Sequence, residues 1–397
     1  MYPIATNVTQ VKKYSLPPLS LYIHLPWCVS KCPYCDFNSH AARTPPDQIR
    51  YIRALIADLE HDLPYVQNRP LHSIFIGGGT PSLFDADAVA MLLERVKAHL
   101  KLKPNCEITI EANPESASLA KLKRLRQAGV NRISIGIQSL NDKLLTNIGR
   151  AHNAKRAVQA FENARLAGFA NINCDLMFGL PEQTERQALS DLTSVIILKP
   201  EHISWYQLTI EPNTLFYTRK PRLPDDDAVW QLQLAGIQTL KESGYKRYEV
   251  SAYSHHKPCL HNLNYWQFGD YLGIGAGAHG KLTLAAGYKI VRTHKHRLPE
   301  RYMERTMENS SCVGIRRLDA PTATFEFLLN ALRLTEGFSR ELFSRTGQND
   351  SLLEQKLSPF IDKKWIISEK HLLKPTAYGI RFLNEILLYC LPDASNT

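Results

Sequence analysis

The feature that most constrains the fold is a repeat. Short β-rich apolar runs at 19–25, 73–76, 107–111, 132–138, 171–177 and 202–210 are each followed by a turn, and amphipathic segments at 46–63, 85–100, 119–128, 154–167 and 186–198 lie between them. In those segments apolar residues recur three and four apart, as in Ile52, Leu55, Ile56 and Leu59, which is the spacing of one buried helix face. Buried strands alternating with helices specify a parallel sheet with helices outside it. Repeated βα units with no dinucleotide fingerprint favour a partial or complete barrel over a doubly wound sheet.

In such a barrel the loops after the strands gather at one end, and the chemistry belongs there. The first run leads into Cys28-x3-Cys32-x2-Cys35, the second ends in Gly77-Gly78-Gly79-Thr80-Pro81, and the third in Glu111-Ala112-Asn113-Pro114. The fourth ends at Gln138-Ser139, the fifth runs from Asp175 to Gly179-Leu180-Pro181, and the sixth closes on Glu211-Pro212. Every one of these turns is polar or glycine-rich, more than a purely structural barrel asks for.

The remainder divides the chain of 397 residues further. A leader covers 1–18, the barrel 19–245, and a connecting region 246–319, which holds an alternating run at 245–253, the stretch Cys259-Leu-His-Asn-Leu-Asn-Tyr-Trp266 and an alternating-glycine loop at 273–280. Residues 320–397 read as helices at 325–334 and 351–360, a hairpin-like piece at 365–373 and a final helix at 376–388, which is a winged-helix pattern. That fold often meets DNA, but a fold alone assigns no function.

Charge and cysteine usage exclude several classes. A net charge of +10, from 48 Lys and Arg against 38 Asp and Glu, is scattered over helical stretches with short clusters such as Lys121 to Arg126, so it reads as solvated helix faces rather than a nucleic-acid surface. Of eight cysteines, three are clustered and five lie far apart, unlike a disulfide scaffold. No apolar run suits a signal peptide or a membrane span. A reducing cytoplasm is the expected compartment.

Three thiols within eight residues, in a loop that ends a strand, form a metal site. A four-iron cluster ordinarily takes four thiolates, so three would leave one iron open to an outside ligand. Zinc is the rival, with His24 and His40 flanking the loop. Phe37 occupies the place of an additional cysteine.

The cysteine spacing after the first strand, with Gly77-Gly78-Gly79-Thr80-Pro81 after the second, resembles the radical S-adenosylmethionine superfamily, and within it the oxygen-independent coproporphyrinogen III oxidase family, over about 21–280 and onward into the C-terminal domain. The resemblance implies a [4Fe-4S] cluster on Cys28, Cys32 and Cys35 and S-adenosylmethionine chelating the open iron. It places Tyr22 against the cofactor, Gly78, Gly79 and Thr80 at its methionyl end, and Glu111, Gln138, Arg150 and Asp175 at its polar groups. An acidic residue suits ribose hydroxyls and an arginine grips a carboxylate in two-pronged fashion. Strand-cap or ion-pair roles are the competing reading for Gln138 and Arg150.

Two features separate the chain from the oxidase branch: Phe37, and only 27 residues ahead of Cys28. His261-Asn262-Leu263-Asn264-Tyr265-Trp266 matches instead the signature of the HemW-like branch of proposed haem chaperones. The implied function is to bind haem and transfer it to an acceptor protein, with a membrane-associated acceptor among the candidates. His261 would ligate the iron while Tyr265 and Trp266 pack on the macrocycle, and Cys259 is a second candidate ligand. A packed core histidine capped by Asn262 is the competing reading. Oxygen-independent coproporphyrinogen III oxidase is the alternative activity, a nucleic-acid-modifying enzyme a more distant one, and no stable nucleic-acid partner is expected. Whether the bound cofactor is cleaved is left open.

Overall fold

The computed structural model describes residues 15–42, 44–308 and 310–392, so the leader expected over 1–18 lies outside the described residues except for 15–18. Strands β1 (Leu19–Leu25), β2 (Leu71–Gly78), β3 (Leu102–Ala112), β4 (Arg132–Gln138), β5 (Ile172–Phe178) and β6 (His202–Gln207) lie side by side in chain order and pair in parallel. Helices α1 (Gln48–Asp62), α2 (Ala86–His99), α3 (Leu119–Gln127), α4 (Ala154–Leu166), α5 (Glu185–Leu198) and α6 (Asp226–Glu242) alternate with them. The two ends of the sheet do not pair, so the barrel is partial.

Residues two apart share a face in a strand. On β1, Leu19, Leu21, Ile23 and Leu25 are buried in the core with Tyr51, Ile52 and Leu55 of α1, and on β4 Ile133, Ile135 and Ile137 belong to the same core. The alternate residues Ser20, Tyr22 and His24, Ser73, Phe75 and Gly77, Glu107, Thr109 and Glu111, and Arg132, Ser134, Gly136 and Gln138 face inward. The strands therefore carry an apolar side for packing and a polar side for a lumen. Helix starts are fixed by side-chain caps, Asp47 accepting from the Arg50 amide, Asn153 from Arg156, and Thr184 with Gln187 forming a reciprocal box.

Region 246–319, expected as a connector, extends the barrel's own sheet. Strand β7 (Ala252–Ser254) pairs antiparallel with β6, while β8 (Asp270–Ile274) pairs in parallel with β1 on the side away from β2. Strands β9 (His279–Leu284), β10 (Lys289–Lys295) and β11 (Cys312–Arg317) continue it in antiparallel order. Buried ion pairs fix this arrangement. Asp270 accepts from Lys281 Nζ at 2.9 Å and Arg69 Nη1 at 2.6 Å, and Lys295 donates to Asp58 at 2.6 Å and Asp62 at 2.9 Å on α1. Removing one partner of such a pair strands a buried charge and costs about 3–5 kcal/mol.

The C-terminal unit has a second core around Phe327, Leu328, Phe343, Leu357, Phe360 and Ile386. Helices Ala320–Ala331 and Asp350–Asp362 accompany a three-stranded sheet of Phe338–Ser339, Leu372–Pro375 and Ile366–Ser368, in that order, as the winged-helix reading expects. The expected single final helix is two, Ala377–Arg381 and Leu383–Tyr389, broken at Phe382 where ψ turns to 28°. Among the described residues no helix is long and apolar enough to cross a membrane.

Candidate active site

A cavity of about 470 Å³ opens at the C-terminal ends of β1 to β6. It is lined by all three clustered cysteines, by Gly78, Gly79 and Thr80, and by Glu111, Gln138, Arg150 and Asp175. Ten of the fourteen residues singled out from the sequence thus meet in one place.

The cysteine loop is closed at its root. Trp27–Cys28 pairs in parallel with His40–Ala41, the His40 amide donates to the Pro26 carbonyl and the Ala42 amide to that of Cys28. Within the loop the Cys35 amide donates to the Cys32 carbonyl at 3.1 Å, a turn that brings those two residues onto one side. Cys28 is buried and the other two are half-buried. Burial, then the neighbouring Cys35, push the Cys28 thiol up, so a cation is what would hold it as thiolate. Among the described residues no three His, Cys, Asp or Glu side chains converge tightly enough to share one ion.

The glycine turn is locked against that loop by backbone contacts. A β-carbon on Gly79 would lie 2.5 Å from the Trp27 carbonyl oxygen, and one on Gly78, whose φ is +124°, 2.7 Å from that of Leu25. The absent side chains let the turn and the cysteine loop approach each other, and the amides of Gly79 and Thr80 donate to the Leu25 and Trp27 carbonyls at 2.8 Å each. The Gly78 amide donates to Glu111 Oε2 at 3.1 Å.

Glu111 on β3 and Asp175 on β5 flank β4 on its lumen side. Burial first, then the Asp175 charge, raise the Glu111 carboxyl to about 8. Burial also raises Asp175, although Ser134 Oγ at 2.9 Å and Asn173 Nδ2 at 2.7 Å donate to it. Gln138 sits at a bulge with φ +66° and its Oε1 accepts from the Tyr206 hydroxyl at 2.8 Å. Arg150 Nη2 donates to Asn113 Oδ1 at 3.0 Å and the Gly136 carbonyl at 2.8 Å, and Nη1 lies 3.7 Å from Cys32 Sγ. Its buried Nε has no partner, a donor left over for a ligand.

Sequence reasoning gave no role to Asn113, Tyr34, Ser134 or Tyr206, which complete the wall. Asn113 lies two residues beyond Glu111, and Ser134 stands directly opposite Glu111 on the neighbouring strand, so the period-2 rule applied to the inner face would have found Ser134. Tyr22, expected against the cofactor, stands apart from these residues. It does not line the cavity but lies beneath it, its hydroxyl 2.8 Å from His24 Nδ1 and its ring 3.2 Å from where a Gly77 β-carbon would stand.

The residues expected to hold haem, His261, Tyr265 and Trp266, do not line this cavity. Helix α7 (Leu260–Trp266) closes the opposite, N-terminal end of the barrel, and His261 is 1% exposed. Its Nδ1 is 2.9 Å from Ser73 Oγ and its Nε2 2.9 Å from the Tyr265 hydroxyl, so both ring nitrogens have partners within the protein. Ser73 stands five residues before Gly78 on β2, about 16 Å along the strand. Cys259 Sγ and the His261 amide both donate to Glu107 Oε1 at 3.2 Å, while the Tyr265 ring packs on Tyr271 and Arg333 covers Trp266. The motif builds the floor of the barrel.

The radical SAM superfamily model matches residues 22–193. The heme chaperone HemW of Haemophilus influenzae is 48% identical over 380 residues, covering 94% of this chain and 97% of that protein. The heme chaperone HemW of Escherichia coli K12 is 47% identical over 377 residues, covering 94% and 98%. Among solved structures, coproporphyrinogen III oxidase (HemN) from Escherichia coli, a radical SAM enzyme, matches with a TM-score of 0.80 over 96% of this chain and 91% of that one at 22% identity, a likeness of fold. Because the similarity to the chaperones runs the length of both chains, this protein belongs to the HemW heme chaperone family of the radical SAM superfamily.

Proposed function

We propose that this protein binds haem and hands it to an acceptor protein, and that it carries a [4Fe-4S] cluster on Cys28, Cys32 and Cys35 with S-adenosylmethionine beside it. The observation that carries the reading is the end-to-end similarity to proteins named heme chaperones. The cavity geometry fits the resident groups: three cysteines at one wall, a backbone turn stripped of side chains, and an arginine with an unused buried donor.

When bound, the cluster and cofactor supply one-electron chemistry. The chain's own residues do the positioning. Cys28, Cys32 and Cys35 hold the cluster, and Arg150 offers its free Nε to a carboxylate near Cys32. Glu111, Asp175 and Gln138 offer acceptors to hydroxyl and amino groups deeper in the lumen. The floor formed by His261, Ser73 and Glu107 shuts water out from below. A reducing cytoplasm suits eight cysteines of which none in the described residues is paired.

The test is anaerobic reconstitution followed by haemin titration and mixing with haem-free acceptor candidates. A Soret band that saturates with haemin and then decays as an acceptor gains it is expected. A reconstituted protein that develops no such band, yet decarboxylates coproporphyrinogen, would overturn the chaperone reading in favour of the oxidase. Cysteine-to-alanine variants at 28, 32 and 35 test the cluster separately through iron content, with far-UV circular dichroism reporting the barrel.

A further inference from the structure

The positive charge of the chain has a local source in the sheet extension. Residues 289–317 hold eight Lys and Arg against three Glu, a surplus of five out of the chain's ten. Four of those cations are matched: Arg292 and Arg316 by Glu326, Lys295 by Asp58 and Asp62, and Arg305 by Glu308. Lys289 and Arg317 are not. Among the described residues neither side chain makes a hydrogen bond or an ion pair.

Both line a second cavity, of about 460 Å³, which shares no residue with the cysteine-lined one. It lies where the start of β10, the end of β11, the start of the helix Ala320–Ala331 and the turn at 344–348 meet. Arg317 pairs with Val291, two residues past Lys289, so the two cations are diagonal neighbours on one face of an antiparallel pair. That spacing puts their β-carbons about 7 Å apart. Like charges so close repel each other unless an anion stands between them. The rest of the wall is largely apolar. Ile290 and Leu318 are buried, with the Leu318 amide donating to the Ile290 carbonyl at 2.9 Å, and the Tyr288 ring lies over Gly347, where a β-carbon would come 3.1 Å from Cδ1. Asp319 is the single acidic residue in the wall, and it is committed to its own helix: Oδ1 accepts from the Thr322 amide at 2.9 Å. The helix end is thus already capped, and the unmatched charge at the cavity is positive.

We propose that this cavity binds a small organic anion, with phosphate or carboxylate groups on a compact apolar body, at the joint between the sheet extension and the C-terminal unit. Arg317 takes the anionic group with its planar fork and Lys289 as a point charge. Ile290, Leu318 and the Tyr288 ring receive the body. The cavity is walled by β10 and β11 on one side and by the turn at 344–348 on the other, so a bound anion ties the barrel's sheet to the C-terminal core. The site is independent of the haem-carrier reading, and it stands or falls on its own ligand.

The experiment is calorimetric titration of the reconstituted full-length chain with inorganic phosphate, phenyl phosphate and phthalate at constant ionic strength, wild type against Lys289→Gln/Arg317→Gln. Both side chains are exposed, and circular dichroism checks the fold; Arg317→Gln alone carries the same expectation if the double variant does not fold. Wild type is expected to bind one phenyl phosphate or phthalate per chain, saturably, with a melting temperature that rises as the site fills. The ranking of those two separates a phosphate ligand from a carboxylate one. The double variant should bind at least tenfold more weakly, and its apoprotein should be no less stable than wild type at low salt, because two unmatched cations are gone. No saturable binding of any of the three anions up to about 10 mM, or a variant that binds as tightly as wild type, overturns the site. Phenyl phosphate no tighter than inorganic phosphate overturns the part given to the apolar wall. A variant apoprotein clearly less stable than wild type at low salt would show that the two cations are already matched, and overturns the site as well.

Discussion

Arg150 spans the cavity wall to Cys32, with Nη1 3.7 Å from the thiol sulfur and Nη2 holding Asn113 and the Gly136 carbonyl. The guanidinium is thereby anchored by two barrel strands while it faces the cysteine loop, and its Nε remains unpaired. One side chain couples the proposed cluster site to the proposed cofactor carboxylate.

Arg150→Lys keeps the charge and loses the planar fork. Hydrogen bonds to charged groups contribute about 1.5–3 kcal/mol each, and lysine does not reproduce a two-pronged geometry. The variant is expected to bind S-adenosylmethionine roughly ten- to a hundredfold more weakly. Equilibrium binding to the reconstituted protein measures it, and iron content should stay near wild type because Arg150 is not a ligand. Unaltered cofactor affinity would remove Arg150 from the site.

Gly79 tests the contact between the glycine turn and the cysteine loop. A β-carbon 2.5 Å from the Trp27 carbonyl oxygen meets backbone, which yields little. Gly79→Ala should force the turn away from the loop at a cost of about 1–3 kcal/mol. Thermal unfolding reads the cost. Iron retained after reconstitution and desalting reads the displacement of the loop, and both should fall together.

Glu111 sets a pH dependence with a definite sign. Its folded value of about 8 stands above the ordinary 4.5, so the folded chain keeps a proton that the unfolded chain releases. Its contribution to stability is complete below about pH 4.5 and is lost as pH rises through 8. At about 1.4 kcal/mol per unit, the loss is on the order of a few kcal/mol. The melting temperature of the apoprotein is expected to decline between pH 5 and about 8.5, and Glu111→Gln to flatten that decline. Asp175 is raised in the same direction, so some slope should persist. A Gln variant with the full wild-type slope would place the titration elsewhere.

The barrel was legible because its strands advertise two periods at once. Ile133, Ile135 and Ile137 mark the packed side and Ser134, Gly136 and Gln138 the lumen side of β4, and the cysteine loop and the glycine turn each follow such a run. The extension of the sheet was not legible, because β8 joins β1 across some 250 residues of chain and nothing local to Asp270 announces its partner. What holds it, Asp270 with Lys281 and Arg69, is a buried charge set that looks like ordinary surface polarity in the sequence. His261 reads two ways for a related reason. An imidazole beside two aromatics has the composition of a haem pocket and equally of a hydrogen-bonded plug, and only the position of Ser73 and Glu107 beneath it separates the two.

The plug can be tested apart from haem. His261→Ala removes a ring in contact with Phe75, and it leaves the Ser73 and Tyr265 hydroxyls each short of a partner. A cavity plus unmatched buried polar groups costs about 2–5 kcal/mol, to be read from denaturant unfolding. Burial, then Arg132, hold the imidazole at about 3, below the ordinary 6.5. Its contribution is therefore full above about pH 6.5 and lost as pH falls toward 3, and His261→Gln should lose less stability than wild type over that range. The same Gln variant is expected to titrate with haemin within about twofold of wild type, a difference well below 1 kcal/mol. A collapse of haemin affinity in a folded His261→Gln protein would put an iron ligand on the barrel floor and require the helix Leu260–Trp266 to open when haem binds.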